Sequence, residues 1–186
     1  SVTKSVVSIL MGIAIEKDFV ERVHQPVVDF FPEQTIENND AHKQAMTLEH
    51  LLTMTSGLEW TEGETGKQLW QNIDWVQFLL NRPMATEPGT RFNYNSGNTH
   101  LLSAVIQKST GMNTLSFAQA HLFEALGISD VLWSRDPSDI YIGGWGIRMR
   151  PRDMAKLGYL YLNNGLWDGQ QIVPADWVKT SIEKHV

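Results

Sequence analysis

At 186 residues the chain has room for one well-cored domain, or for part of a larger one. It is 42% hydrophobic and 19% charged, a globular composition rather than a disordered one. A formal net charge of −6 argues against a nucleic-acid binder, and the absence of cysteine excludes disulfide scaffolds, thiolate metal sites and cysteine nucleophiles.

From Ser1 the chain runs straight into apolar residues at helical spacing, Val2, Val6, Ile9, Leu10 and Ile13. Val7, Met11 and Ile15 fill the opposite side, which predicts a helix over 1 to about 17 that is buried on most faces. This is also the longest apolar run, and Ser8 and Gly12 interrupt it well short of a membrane span. Residues 18 to 46 read as a short helix and loop. Thr47 then caps a compact helix, Leu48 to Met54, that stops at Ser56-Gly57.

Residues 58 to 68, with Trp60 among polar neighbours, read as loop, and a helix is expected from Leu69 to Leu80. Glu87-Pro88-Gly89-Thr90 is a turn signal, followed by helices over Asn98 to Ser109 and Thr114 to Ala125. Ile140 to Met149, softened by three glycines, reads as a strand or hairpin. Pro151 opens a helix to about Asn163, and Val173 to Lys184 is the last. So helical a chain, opening directly at a helix head with no initiator Met, is expected to be a partial domain, 1–186, truncated at both ends. Any targeting signal would then lie upstream.

Three side chains carry the candidate chemistry. Ser1 and Lys4 are three apart, so a helix places them on one face. A serine hydroxyl is a poor nucleophile until a base takes its proton, and a desolvated lysine near a helix N-terminus can be that base. A tyrosine brought close, here Tyr94, can relay the proton to a leaving group. Ser-x-x-Lys alone is a weak signal, because a helix-capping serine followed by a surface lysine looks the same. A second copy, Ser181 to Lys184, reads as a solvated helix end.

The wider context is more specific. Thr47-Leu48-Glu49-His50-Leu51-Leu52-Thr53-Met54-Thr55-Ser56-Gly57-Leu58, Pro88-Gly89-Thr90-Arg91-Phe92-Asn93-Tyr94-Asn95-Ser96, Gly143-Gly144-Trp145-Gly146 and Asn164-Gly165-Leu166-Trp167 follow Ser1 in order. Together they resemble the serine beta-lactamase-like and penicillin-binding-protein-like family, in its class C and esterase branch with 6-aminohexanoate-dimer-hydrolase-like members. The resemblance implies an α/β (α+β) beta-lactamase/transpeptidase-like fold, of which this chain is mostly the helical part without its flanking strands. It implies that Ser1 is acylated, that Lys4 activates it, that Tyr94 is the second acid/base and that the Ser1 N–H is half an oxyanion hole. An extracytoplasmic location is weakly favoured on the same ground.

Three departures bear on substrate. Ser96 stands where the family has Asn, which turns the reading from a beta-lactam towards an ester or linear amide, since a hydroxyl offers one donor. Met54 replaces a histidine, without expected consequence. The third motif, a Lys or His followed by Thr or Ser and Gly, is absent; Lys108-Ser109-Thr110-Gly111 reads as a helix C-cap.

The expected function is therefore a serine hydrolase of small ester, amide or peptide substrates, with Ser96, Trp145 and Trp60 as candidate substrate contacts. A beta-lactamase or D-alanyl-D-alanine carboxypeptidase is the near alternative, and a catalytically incomplete binding or scaffold homologue the distant one. An N-terminal-nucleophile reading of Ser1 ranks last, because Ser1 opens a helix and not a strand. No metal or cofactor is implied, since the six histidines lack ligand spacing and no Gly-rich loop has phosphate-binding form.

Overall fold

The computed structural model describes residues 1–185, and in it the run after Ser1 is helix α1, Val2–Glu16. Val6, Val7, Ile9, Leu10, Met11, Ile13 and Ala14 are all but sealed from solvent, as expected for a helix that is apolar on nearly every face. It lies against α6, Ser96–Thr110, whose Leu101, Leu102, Val105 and Ile106 fill the facing side of one continuous core. Around α6 pack α3 (Leu48–Leu52), α5 (Trp75–Leu80) and α7 (Thr114–Ala118). Helix α2 (Ala41–Ala45) precedes α3 in the chain, and α4 (Glu64–Leu69) lies between α3 and α5. The chain closes with α8 (Pro151–Leu162) and α9 (Ala175–Ser181), whose Trp177 ring lies against Gly12 of α1.

Four expectations change. The helix expected over Leu69 to Leu80 is two, because Asp74 accepts a hydrogen bond from the Gln77 N–H and restarts the helix after a turn, while α4 occupies the end of the expected loop. The helix from Thr114 continues past Ala118 as one widened π turn to Phe123. Of the expected strand or hairpin over Ile140 to Met149, β2 (Ile147–Arg148) pairs antiparallel to β1 (Leu132–Trp133) and Tyr141 forms a single antiparallel bridge with Arg135, with the glycines between them unpaired as strand. The last helix ends at Ser181, so the second Ser-x-x-Lys copy is not on one helical face. An unanticipated hairpin, β3 (Leu166–Trp167) to β4 (Gln170–Gln171), turns on Asp168-Gly169, both at positive φ.

Two buried charges tie the loops down. The Lys43 ammonium is fully buried and donates to the carbonyls of Leu80 (2.7 Å) and Arg82, closing the C-terminal end of α5. Burial holds its pKa below the ordinary lysine range, against the pull of Asp40 in the other direction. His100, also sealed, meets Asp136 at 3.1 Å. The other Asp136 oxygen accepts the N–H groups of Ser138 (2.9 Å) and Ile140 (2.8 Å). The loop leading to Gly143 is thus pinned to α6 through one carboxylate. Asp136→Ala leaves that imidazole and two N–H groups unpartnered and is expected to cost about 3 kcal/mol. Urea unfolding checks this, and an unchanged midpoint shows that the carboxylate does not hold the loop.

Candidate active site

Ser1 occupies the N-cap of α1, yet its side chain makes no capping hydrogen bond. Its hydroxyl instead donates to the carbonyl oxygen of Gly144, 3.0 Å away. Lys4, one turn on, donates from Nζ to the same oxygen at 2.6 Å and to Ser96 Oγ at 3.0 Å. The Lys4 Nζ also sits 4.9 Å from the centroid of the Tyr94 ring, within cation–π range. Ser1, Lys4, Tyr94 and Ser96, far apart in sequence, are therefore gathered at one place.

Each is delivered by an identifiable local device. The Thr47 and His50 capping box holds the start of α3. The chain then turns through Met54 and Gly57, both at positive φ. The turn exposes backbone to the next segment: Gly57 O accepts from Ala85 and Thr86, Thr55 O from Gly89, and Met54 O from Asn93. Only glycine fits at 57, because a Cβ would stand 2.3 Å from the Thr86 carbonyl oxygen. This docking carries Tyr94 to Lys4. Asn95 then caps α6, its Oδ1 accepting from the N–H groups of Gly97 and Asn98. Ser96 is thereby relieved of capping and turns its hydroxyl to Lys4 and Glu62.

The Gly143-Gly144 loop closes the site from the other side by pressing onto the first turns of α6. A Cβ on Gly143 would lie 1.8 Å from the Thr99 carbonyl oxygen, and one on Gly144 2.7 Å from that of Ser96. Thr3, inside the Ser-x-x-Lys motif, accepts the Ile147 N–H at 3.3 Å and ties the far end of the loop to α1.

Trp145 turns from the glycine loop into an aromatic cluster, 5.9 Å from Trp70 and 5.8 Å from Trp75 between ring centroids. Trp60 is buried at 6% exposure, and its indole N–H donates to Glu62 Oε2 at 2.7 Å. Glu62 is the residue that sequence reasoning missed. Its Oε1 accepts from Ser96 Oγ at 2.7 Å and its Oε2 from the Ser96 N–H at 3.2 Å. Burial pushes the Glu62 carboxyl up, but the hydrogen bonds from Ser96 and Trp60 and the charge of Lys4 outweigh it and hold it below the ordinary value. The stability this carboxylate contributes is present above the ordinary glutamate pKa and lost as the pH falls through the lowered one. Among the described residues no acidic and histidine cluster has the form of a metal site, and no helix is long and apolar enough to cross a membrane.

A family model described as Beta-lactamase matches residues 1–184. The 6-aminohexanoate-dimer hydrolase of Paenarthrobacter ureafaciens is 22% identical over 194 residues, covering 97% of this chain and 49% of its own length. A solved structure of a candidate 6-aminohexanoate-dimer hydrolase from Bacillus anthracis superposes with a TM-score of 0.82 at 21% identity, covering 97% of this chain and 51% of that one. A D-stereospecific amidohydrolase from Streptomyces sp. gives 0.69 at 19% identity, with 96% and 62% covered. The chain spans about half the length of the curated relatives it matches. At these identities the structural likeness speaks for the fold.

Because the Gly143-Gly144 loop rests directly on α6 backbone, Gly143→Ala is expected to lower stability by about 2 kcal/mol through overpacking. Gly158→Ala, on an α8 surface with nothing within 4 Å of the added Cβ, is expected to raise it by up to about 1 kcal/mol. Paired urea denaturation curves read both signs.

Proposed function

The chain belongs to the beta-lactamase family, and from that footing we propose that it is a serine hydrolase forming an acyl-enzyme on Ser1 and cleaving an ester or a linear amide. The observation that carries this is the Ser1 hydroxyl, which leaves its helix uncapped and is held with the Lys4 amine on one carbonyl oxygen, that of Gly144. A capping serine with a solvated lysine would show neither contact.

The steps follow from those positions. Lys4, as the neutral amine, takes the Ser1 hydroxyl proton while Oγ forms a bond to the substrate carbonyl carbon. The negative charge gathered on the carbonyl oxygen lies near the head of α1, where the Ser1 N–H is a donor. The tetrahedral adduct collapses as the bond to the leaving group breaks. The proton held by Lys4 passes to the departing oxygen or nitrogen, with the Tyr94 hydroxyl as the relay. Water then repeats the sequence on the acyl-enzyme and frees Ser1.

The preference for an ester or linear amide rests on Ser96. Its one hydroxyl proton is already given to Glu62, so it has no donor left for a substrate carbonyl. The Streptomyces relative is named an amidohydrolase, which favours the same substrate class. Trp145, against Trp70 and Trp75, is assigned to the wall of the acyl side. Trp60 holds Glu62 from below.

Intact-mass measurement after exposure to a fluorophosphonate, with peptide mapping, tests the reading. One adduct on Ser1 is expected, slowed by about 100-fold or more in Lys4→Ala, the scale of a lost general base. A folded protein that gains no adduct, or gains it equally in Lys4→Ala, overturns it.

A further inference from the structure

The Glu62 contacts reach beyond the three-residue chemistry. Ser96 Oγ carries one proton and two lone pairs. The proton is committed to Glu62 Oε1 at 2.7 Å, so towards Lys4 the oxygen presents only lone pairs, and it accepts the Nζ–H at 3.0 Å. A free serine hydroxyl could rotate and donate to the lysine nitrogen instead. That would occupy the lone pair needed for the Ser1 proton. Glu62 itself cannot rotate away, because Oε2 is held by the indole of Trp60 and the backbone N–H of Ser96. Trp60 is fixed in turn by burial, and its carbonyl accepts the Asn93 side-chain N–H at 3.0 Å.

We infer that Glu62 is a positioning residue for the reaction proposed above: it fixes the polarity of the Ser96 hydroxyl, so that Ser96 and the Gly144 carbonyl hold the Lys4 nitrogen by its N–H groups. Glu62 and Ser96 together supply the single acceptor that an asparagine amide oxygen supplies by itself. No proton leaves the carboxylate and none is delivered to it. The negative charge keeps a hydrogen bond pointing one way.

The substitution Glu62→Gln makes this testable because it reverses that direction. With its amide oxygen on the Trp60 and Ser96 N–H groups, the glutamine NH2 faces Ser96 Oγ and donates to it. The serine proton is then turned towards Lys4. Fluorophosphonate labelling of Ser1 is expected to slow by about tenfold or more, the scale of a misplaced catalytic group. In a Ser96→Ala background, Glu62→Gln is expected to slow labelling clearly less, because the residue through which Glu62 acts is gone and only the direct pull of its charge on Lys4 is lost. Equal slowing in both backgrounds overturns the inference and makes Glu62 a loop anchor only.

A second readout does not depend on acylation. The Lys4 13Cε resonance, assigned with Lys4→Arg, is expected to move on Glu62→Gln in the parent protein and to move clearly less in Ser96→Ala, where only the direct charge of the carboxylate is lost. A resonance that ignores Glu62→Gln overturns the inference even where Ser1 is never labelled. A moving resonance without labelling leaves the positioning standing and removes the hydrolase reading. Urea midpoints of all four proteins separate these effects from unfolding.

Discussion

The backbone of Gly143 and Gly144 lies so close to the first turns of α6 that no side chain fits between them, and the rest of the site depends on that approach. It brings the Gly144 carbonyl oxygen over α1, where Ser1 and Lys4 both donate to it. Two donors on one acceptor set the spacing of the Ser1 hydroxyl and the Lys4 amine more firmly than their shared helical face could, since each side chain alone has several rotamers. The same loop is tied at one end to Thr3 and at the other to the turn that Asp136 organises. Helix α1, α6 and the glycine loop therefore form one rigid corner, and Ser1, Lys4 and Ser96 meet in it.

That corner is polar where a core would ordinarily be apolar. Asn95, Ser96, Asn98, Thr99 and His100 are all buried in the first turns of α6. Most are satisfied locally, by the Asn95 cap, the Thr99 hydroxyl on the Ser96 carbonyl, and the His100 contact with Asp136. Asn95 Nδ2, Asn98 Oδ1 and His100 Nδ1 are buried with no partner among the described residues, each a penalty of about 1–3 kcal/mol. The apolar halves of α1 and α6 offset this strain, being among the most deeply buried residues of the chain. Placing Tyr94 and Ser96 at a helix head, a position that favours polar groups, thus leans on a core two turns further along.

What was legible in the sequence was what is local. The buried first helix, the capped start at Thr47 and the αL residue at Gly111 are written in spacing and in single residues whose conformations few others adopt, whereas the helix from Leu48 ends at Leu52, short of the expected stop at Ser56-Gly57, because Met54 already takes a positive φ. Ser1, Lys4 and Tyr94 could be placed together because four motif windows follow Ser1 in order. Glu62 could not, because it lies in a polar stretch beside Gly63 with no periodicity, and its partners are two residues away and 34 residues away. The stretch from Ile140 to Met149 misled for a related reason. Alternation and β-branched residues describe a pleated surface, but a strand also needs a continuous neighbour, and here the pairing is limited to Ile147, Arg148 and a single bridge at Tyr141.

The two Ser-x-x-Lys copies make the limit of motif reading concrete. Ser1 and Ser181 carry the same side chain three residues before a lysine. Ser181, however, is the last residue of α9. Its hydroxyl turns back to the Val178 carbonyl at 3.0 Å and lies 3.3 Å from the Tyr161 hydroxyl, with Lys184 exposed beyond the helix. Ser1 opens a helix whose head is free of a side-chain cap, so its hydroxyl can reach across 143 residues to a carbonyl. The proposed nucleophile needs a base that is near and oriented, and the groups that hold Ser1 and Lys4 lie opposite the motif: Gly144, Ser96, Tyr94 and, behind Ser96, Glu62. The four-residue pattern states that the pairing is geometrically possible. The loops that face it decide whether it is made.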